Sequence, residues 1–386
     1  MEIHFFESIW HLVSLLGVFT VGLVFSLSRP FGLRSNNLNA IIYLWHTIFC
    51  VYFAWFALNN TADARGYYLR SLNLDRPFSL GTTAIDYFTS ILTQGMGFSY
   101  LGTFLVYNIF GVIGLFAFLS ALKEVTLFKD NFVRRSLPFL MFLPGINFWT
   151  SSIGKDSVSF FGVGIICWAA LNMKTRYPYY AIGILIFLFV RPHIVGLLMF
   201  ATIFALLLDT KLASKIRLLL LLILIPIGWG ALQFSVGRVG IEDAFDLENI
   251  NNFIEYRQSV NLSGSSSIDI SQHNFFVRLI IYVFLPFFYD ANGLLGLVAS
   301  FENLVLFSLL MITIPRAMLV RSSLPNFPQW FFLSFSLFSW FIFANTTTNV
   351  GLALRHKWMF LPMLILYLVS YFPTQISYIK RRVHPE

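Results

Sequence analysis

Four short stretches of this chain carry acids, bases and cations that its otherwise apolar sequence does not need for folding. The first is TADARGYY at 61–68, with Asp63, Arg65 and Tyr67 close together. A carboxylate held at a membrane surface can take the proton of a sugar hydroxyl as that hydroxyl attacks a lipid-linked donor. Asp63 equally suits a helix N-cap, because a short helix is expected to follow it. The second stretch is PGINFWTSSIGKDS at 144–157, which presents Lys155 and Asp156 at the tip of a hairpin with short arms. Lys155 either meets a phosphate as a point charge, or stands with Asp156 in water at a helix start capped by Ser151 or Ser152.

The third stretch is VRPHIV at 190–195, where Pro192 breaks a helix between Arg191 and His193. An arginine below the headgroup level needs an anionic partner. A polyprenyl phosphate or pyrophosphate fits, since guanidinium binds phosphate oxygens bidentately. A salt bridge to Asp63 or Asp156 would satisfy it as well. The fourth is NVGLALRHKWMFLP at 349–362, with Arg355, His356 and Lys357 consecutive before the last apolar run and suited to a polyanion. Glu302, in SFENLV, lies well inside a span and must be protonated or paired, with a cavity base or through Asn303. No carboxylate cluster for a metal is visible, and this chemistry asks for neither metal nor cofactor.

The elements that position these groups are set by composition. Hydrophobic residues make up 57% of the 386 and charged residues 11%, against about 25% charged in a soluble chain. Apolar runs of this length in lipid must satisfy their backbone internally and are therefore helices. The expectation is an all-α polytopic integral membrane bundle of about 10–12 transmembrane helices, read as a single transmembrane domain over 1–386. The spans read as 9–28, 38–58, 100–122, 137–151, 158–173, 177–190, 194–208, 218–235, 294–314, 330–346 and 356–372. Aromatic residues reach 18%, with 45 Phe, and serve packing and lipid contact. Cys50 and Cys167 sit inside apolar runs as packing residues. The start, MEIHFFESIWHLV, lacks a basic n-region and reads as a retained span rather than a signal peptide.

The net charge of +8 gathers in short loops, which fits the positive-inside pattern and excludes a nucleic-acid partner. Loops bearing Arg29, Lys123, Arg135, Lys174, Lys211, Arg217, Arg316 and Lys380 belong to the cytoplasmic side, giving an outer N-terminus and an inner C-terminus. That alternation requires FFVRLIIYVFLPFFY at 275–289 to be re-entrant or interfacial, kinked at Pro286. The outer side then holds loops 59–97, part of which reads as an amphipathic surface helix, and 236–274, rich in Ser, Asn and acids.

With these motifs in place the chain resembles the O-antigen and exopolysaccharide polymerases and GT-C-type glycosyltransferases of bacterial envelope polysaccharide assembly. TADARGYY with the 82–93 segment resembles the acidic first outer loop and membrane-surface helix of GT-C enzymes, and YNIFGVIG at 107–114 the span that follows. LPGINFWTSSIGKDS is similar to the Pro-aromatic-Ser-Lys hairpin of exopolysaccharide polymerases, and RPHI and ALRHKWMFLP to their later arginine motifs. The resemblance covers nearly the whole chain through short motifs. It implies Asp63 as the base, with Arg191, Arg355 and Lys155 at the donor phosphate and His193 and His356 assisting. Arg65, Tyr67 and Asp156 complete the expected substrate site. This chain has one acid where some GT-C enzymes have a pair, so Glu255 or Asp246 of the long outer loop is the alternative base.

The implied partners are a polyprenyl-phosphate- or pyrophosphate-linked saccharide, membrane lipid and other polysaccharide-assembly proteins, at the bacterial inner membrane. A transporter or flippase of lipid-linked saccharides is the rival reading, and a non-catalytic scaffold a third. Transporters gather ionisable residues at the midplane and carry internal repeats. Here the polar residues gather at one face, no repeat is visible, and Glu302 alone sits deep.

Overall fold

Apolar runs punctuated by Pro, Gly and Ser give a chain of helices. The computed structural model describes residues 5–60, 62–211, 213–239, 274–291, 293–347 and 349–374. Helix α1 (Ile9–Leu27) and α2 (Asn36–Asn59) start at serines whose hydroxyls accept from the His11 and Leu38 N–H groups. Two nine-residue helices follow, α3 (Asp63–Ser71) and α4 (Thr82–Ser90), the latter running on through a π turn, Ile91–Gly95. The long α5 (Tyr100–Val125) precedes α6 (Asn131–Ser136), α7 (Pro144–Thr150), α8 (Lys155–Ala170), α9 (Met173–Val190) and α10 (Pro192–Leu208). Then come α11 (Ser214–Val239), α12 (Phe275–Phe284), α13 (Gly293–Leu319), α14 (Asn326–Thr346), α15 (Val350–His356) and α16 (Leu361–Val369). The described residues hold no strand, only an isolated bridge between Lys129 and Thr374.

Among the described residues, five helices are long and apolar enough to cross a bilayer: α1, α2, α5, α13 and α14. The number rises to seven if each of two bent pairs is one span. These are α7 with α8, bent by 116°, and Val350–Met359 with α16, bent by 58°. The protein is thus a helical integral membrane protein. Its faces agree with that environment: Leu218, Leu219 and Leu222 of α11 and Ile9, Trp10 and Val13 of α1 are all exposed.

The expected elements do not all keep their sequence outlines. The apolar run 137–151 is not one continuous span. It forms a 3-10 turn, Leu137–Phe142, an extended residue at Leu143, and then α7 from Pro144. Proline has no N–H to continue a helix and forces the preceding residue out of the helical region. The 275–289 run forms a helix of only 10 residues, about 15 Å long against a hydrocarbon core of about 30 Å. It ends at Leu285, directly before Pro286, which is where the kink was expected.

The chain divides into two compact units. The first comprises Met1–Ser120 and Met141–Pro192, and the second Ala121–Leu140 and His193–Glu386. Inside the first, α5 and α8 approach backbone to backbone. A Cβ placed on Gly164 would lie 2.2 Å from the Gly114 carbonyl oxygen, so only glycine permits the contact. Small residues are the usual device for such packing in membranes, where burial of apolar surface does not itself drive helices together.

In the second unit, the Lys129 ammonium donates to the carbonyls of Ser370 and Phe372 at 2.7 and 2.6 Å. Those carbonyls follow the last turn of α16, so the lysine caps acceptors that the helix leaves unsatisfied. Ser323 reaches the same Ser370 carbonyl through its N–H and its hydroxyl.

Candidate functional site

The first unit brings three of the four sequence motifs together. Its base is α3 against α4. Asp63 is the first residue of α3, and the N-cap position falls on Ala62, which makes no side-chain cap bond. The expected capping role therefore does not apply. Asp63 instead stands in the first turn, where the helix dipole favours an anion, and both it and Arg65 are exposed.

Tyr67 faces inward and is 4% exposed. Its ring lies against Gly154, where a Cβ would come within 3.2 Å of Tyr67 Cε2. Gly154 also holds φ at 142°, so the backbone requires glycine there, and a Cβ would crowd the tyrosine ring. TADARGYY and the GKDS turn are thus in direct contact. On Tyr67 the Arg70 guanidinium sits 4.9 Å from the ring centroid, and its Nε donates to both Asp86 oxygens at 3.1 and 3.0 Å. The neighbouring Tyr68 is pushed above the ordinary phenol range, mainly by burial with a further contribution from Glu7, and remains a neutral hydroxyl.

The Gly154 turn launches α8, with Lys155 and Asp156 as its first two residues. Lys155 is half-buried and Asp156 is buried. Neither is a freely solvated charge, unlike the bland reading of the hairpin tip. Arg191 closes the arrangement. It ends α9 with its N–H on the Phe187 carbonyl at 2.7 Å. Its Nη2 donates to Asp156 Oδ1 at 2.5 Å and its Nε to Ser159 Oγ at 3.1 Å. Arg191 is 6% exposed and Asp156 7%. Asp156, one of the anionic partners the sequence allowed for this arginine, is paired with it. A buried ion pair supported by a hydroxyl keeps both charges from standing alone in an apolar bundle. A second tie runs from the Gly81 N–H, before α4, to the Phe189 carbonyl at 2.8 Å, and joins α4 to the same end of α9.

The fourth motif and His193 belong to the second unit. His193 is exposed, while Arg355 and His356 are half-buried. Lys357, expected beside them at the rim, is fully buried and donates to Asn303 Oδ1 at 2.5 Å. Asn303 in turn donates to the Pro286 carbonyl at 3.0 Å. Glu302 is buried as the sequence implied, and it interacts electrostatically with Lys357. Lys357 is therefore a base within electrostatic reach of the deep carboxyl. The signal was present in the sequence, since neighbouring helical residues project about 100° apart and three in a row cannot share one rim. Glu255 and Asp246, the alternative bases, lie outside the described residues. Among those described, no group of three or more His, Cys, Asp and Glu converges in a way that could hold a metal ion.

Sequence reasoning singled out neither Arg70 nor Asp86. Their sixteen-residue separation has no periodic signature; only an acid buried in a short polar helix hints at a partner. Comparison with protein-family models, with curated proteins and with solved structures returns no match.

Proposed function

We propose that this protein is a membrane glycosyltransferase or polymerase that uses polyprenyl-(pyro)phosphate-linked sugars at the outer, periplasmic face in polysaccharide assembly. The observation that carries the reading is the meeting of three motifs: Tyr67 on Gly154, and Asp156 on Arg191, with Lys155 between. Folding an apolar bundle does not require this concentration of ionisable side chains, and such groups at membrane depth cost free energy. In the proposed step an acceptor hydroxyl attacks the anomeric carbon of the donor, and the bond from that carbon to the lipid phosphate breaks. Asp63 takes the hydroxyl proton. Lys155, with Arg191 held in place by Asp156, stabilises the negative charge gathering on the departing phosphate. Arg65 and Tyr67 flank the base. The full architecture in this reading is GT-C-like with about 10–12 spans, an outer N-terminus and a cytoplasmic C-terminus, in the bacterial inner membrane beside other assembly proteins.

A specific observation favours a second reading, a flippase of lipid-linked saccharides. Glu302 and Asn303 are buried in a helix long and apolar enough to cross a bilayer, and Lys357 is buried in the part of a bent pair that precedes α16; ionisable groups within spans are typical of transporters. One experiment separates the two. Cells lacking the protein are complemented with wild type, Asp63→Asn, Lys155→Gln or Arg191→Lys, each verified at normal membrane levels, and polysaccharide length is measured. The transferase reading expects single repeat units in the null strain and no long chains from the variants. Accumulation of lipid-linked units on the cytoplasmic face would replace it with the flippase.

A further inference from the structure

Beside the Tyr67 contact, the α3–α4 segment of the first unit forms a cleft of about 170 Å³ that is open on one side. Arg70, Asp75, Arg76 and Asp86 line it, together with Asn73 and Thr83. Leu74 supplies the one apolar wall. The cleft is built rather than incidental. Asp86 is 2% exposed, and its two oxygens are fixed by the Arg70 Nε. The Tyr87 hydroxyl holds the Arg76 carbonyl at 2.9 Å, and the Thr83 hydroxyl holds the Ser79 carbonyl at 3.0 Å. The Gly81 N–H ties the end of the loop to α9.

The lining decides the chemistry. Two guanidiniums face two carboxylates, so the cleft carries no net charge. A phosphate or free carboxylate would meet as much repulsion as attraction here. A polyol suits it better, because each hydroxyl both donates and accepts: carboxylates accept from hydroxyls, while guanidinium and amide N–H groups donate to them. Leu74 offers contact to a C–H face. We propose that this cleft binds one neutral hexose residue, its open side leaving room for the rest of a glycan. Its assignment as the acceptor subsite rests on the glycosyl-transfer reading. Tyr67 then links the two halves of the reaction, with Arg70 of the sugar cleft on its ring and the Gly154–Lys155 turn against its edge.

The test reads binding without turnover. Full-length protein in lipid nanodiscs is examined by saturation-transfer NMR with methyl α-glucoside and methyl α-galactoside as probes and inorganic phosphate as competitor. At least one glycoside should show saturation transfer that excess phosphate leaves intact. Asp75→Asn and Arg76→Gln, both at exposed positions, should each weaken binding roughly tenfold, the effect of losing one charge-assisted hydrogen bond. Their melting temperatures should match wild type. The proposal is overturned if no glycoside shows transfer, if phosphate abolishes it, or if both variants bind like wild type. Absent glycoside binding in a protein that passes the chain-length test removes the subsite alone. Normal glycoside binding in a protein that fails that test keeps the subsite and removes its acceptor role.

Discussion

Arg191 and Asp156 show how a single pair can be structural and still belong to a site. Each charge is almost wholly withdrawn from water, so each depends on the other, and Arg191 also on Ser159. Removing one partner leaves a buried charge uncompensated, which costs about 3–5 kcal/mol, whereas an apolar pair of similar volume is often neutral. Arg191→Met should therefore lower the thermal midpoint of the purified protein strongly, and adding Asp156→Leu should recover most of it. If the double variant is as stable as wild type but gives no long polysaccharide, the charges serve chemistry rather than folding. A double variant less stable than either single one would contradict the pairing. The sequence allowed this pairing as one of several, because burial and the proline break demanded some anion near Arg191. It could not choose between Asp63 and Asp156, since that choice depends on how α8 and α9 pack. Lys357 follows Arg355 and His356 in the chain but not at their rim, because adjacency along a chain is not adjacency in space.

Helices were largely legible, and their interruptions less so. Hydropathy located α1, α2, α5, α13 and α14 within a few residues, because a bilayer demands length and apolarity together. It overran the break at Pro144, since an average over a window is blind to a missing N–H. The close packing of α5 on α8 was equally hidden. Gly114 and Gly164 are two of 24 glycines, and only the fold reveals that their backbones touch. Gly164→Ala would place a methyl 2.2 Å from a carbonyl oxygen that has no flexible end to swing away. The helices must separate, and overpacking of this kind costs at least about 1–3 kcal/mol. A lower melting temperature and poorer recovery from mild detergent are expected. Gly17→Ala, on an open face of α1, serves as the control and should behave as wild type.

Taken whole, the chain is organised around returns that sequence order does not announce. Each unit is assembled from two stretches separated along the chain. In the second unit the return is fastened by Lys129, which burial, partly opposed by Asp130, pulls down from 10.5 to about 8. Between those values the folded protein holds fewer protons than the unfolded chain, so stability rises with pH across that window. Below about pH 8 both states are protonated and the burial penalty is present in full. Melting temperature measured from pH 7.5 to 10.5 should climb more steeply in wild type than in Lys129→Met. Parallel curves would show that this lysine is not desolvated.

That fastening also has a timetable. Ser370 follows Lys129 by 241 residues, and ribosomes add about 5–20 residues per second. The ammonium consequently spends roughly 10 to 50 seconds of synthesis without its carbonyl acceptors, while every intervening helix is delivered to the membrane. This fastening of the second unit waits until Ser370 and Phe372 are made. A chain released before Ser370 is made would display this lysine without these acceptors.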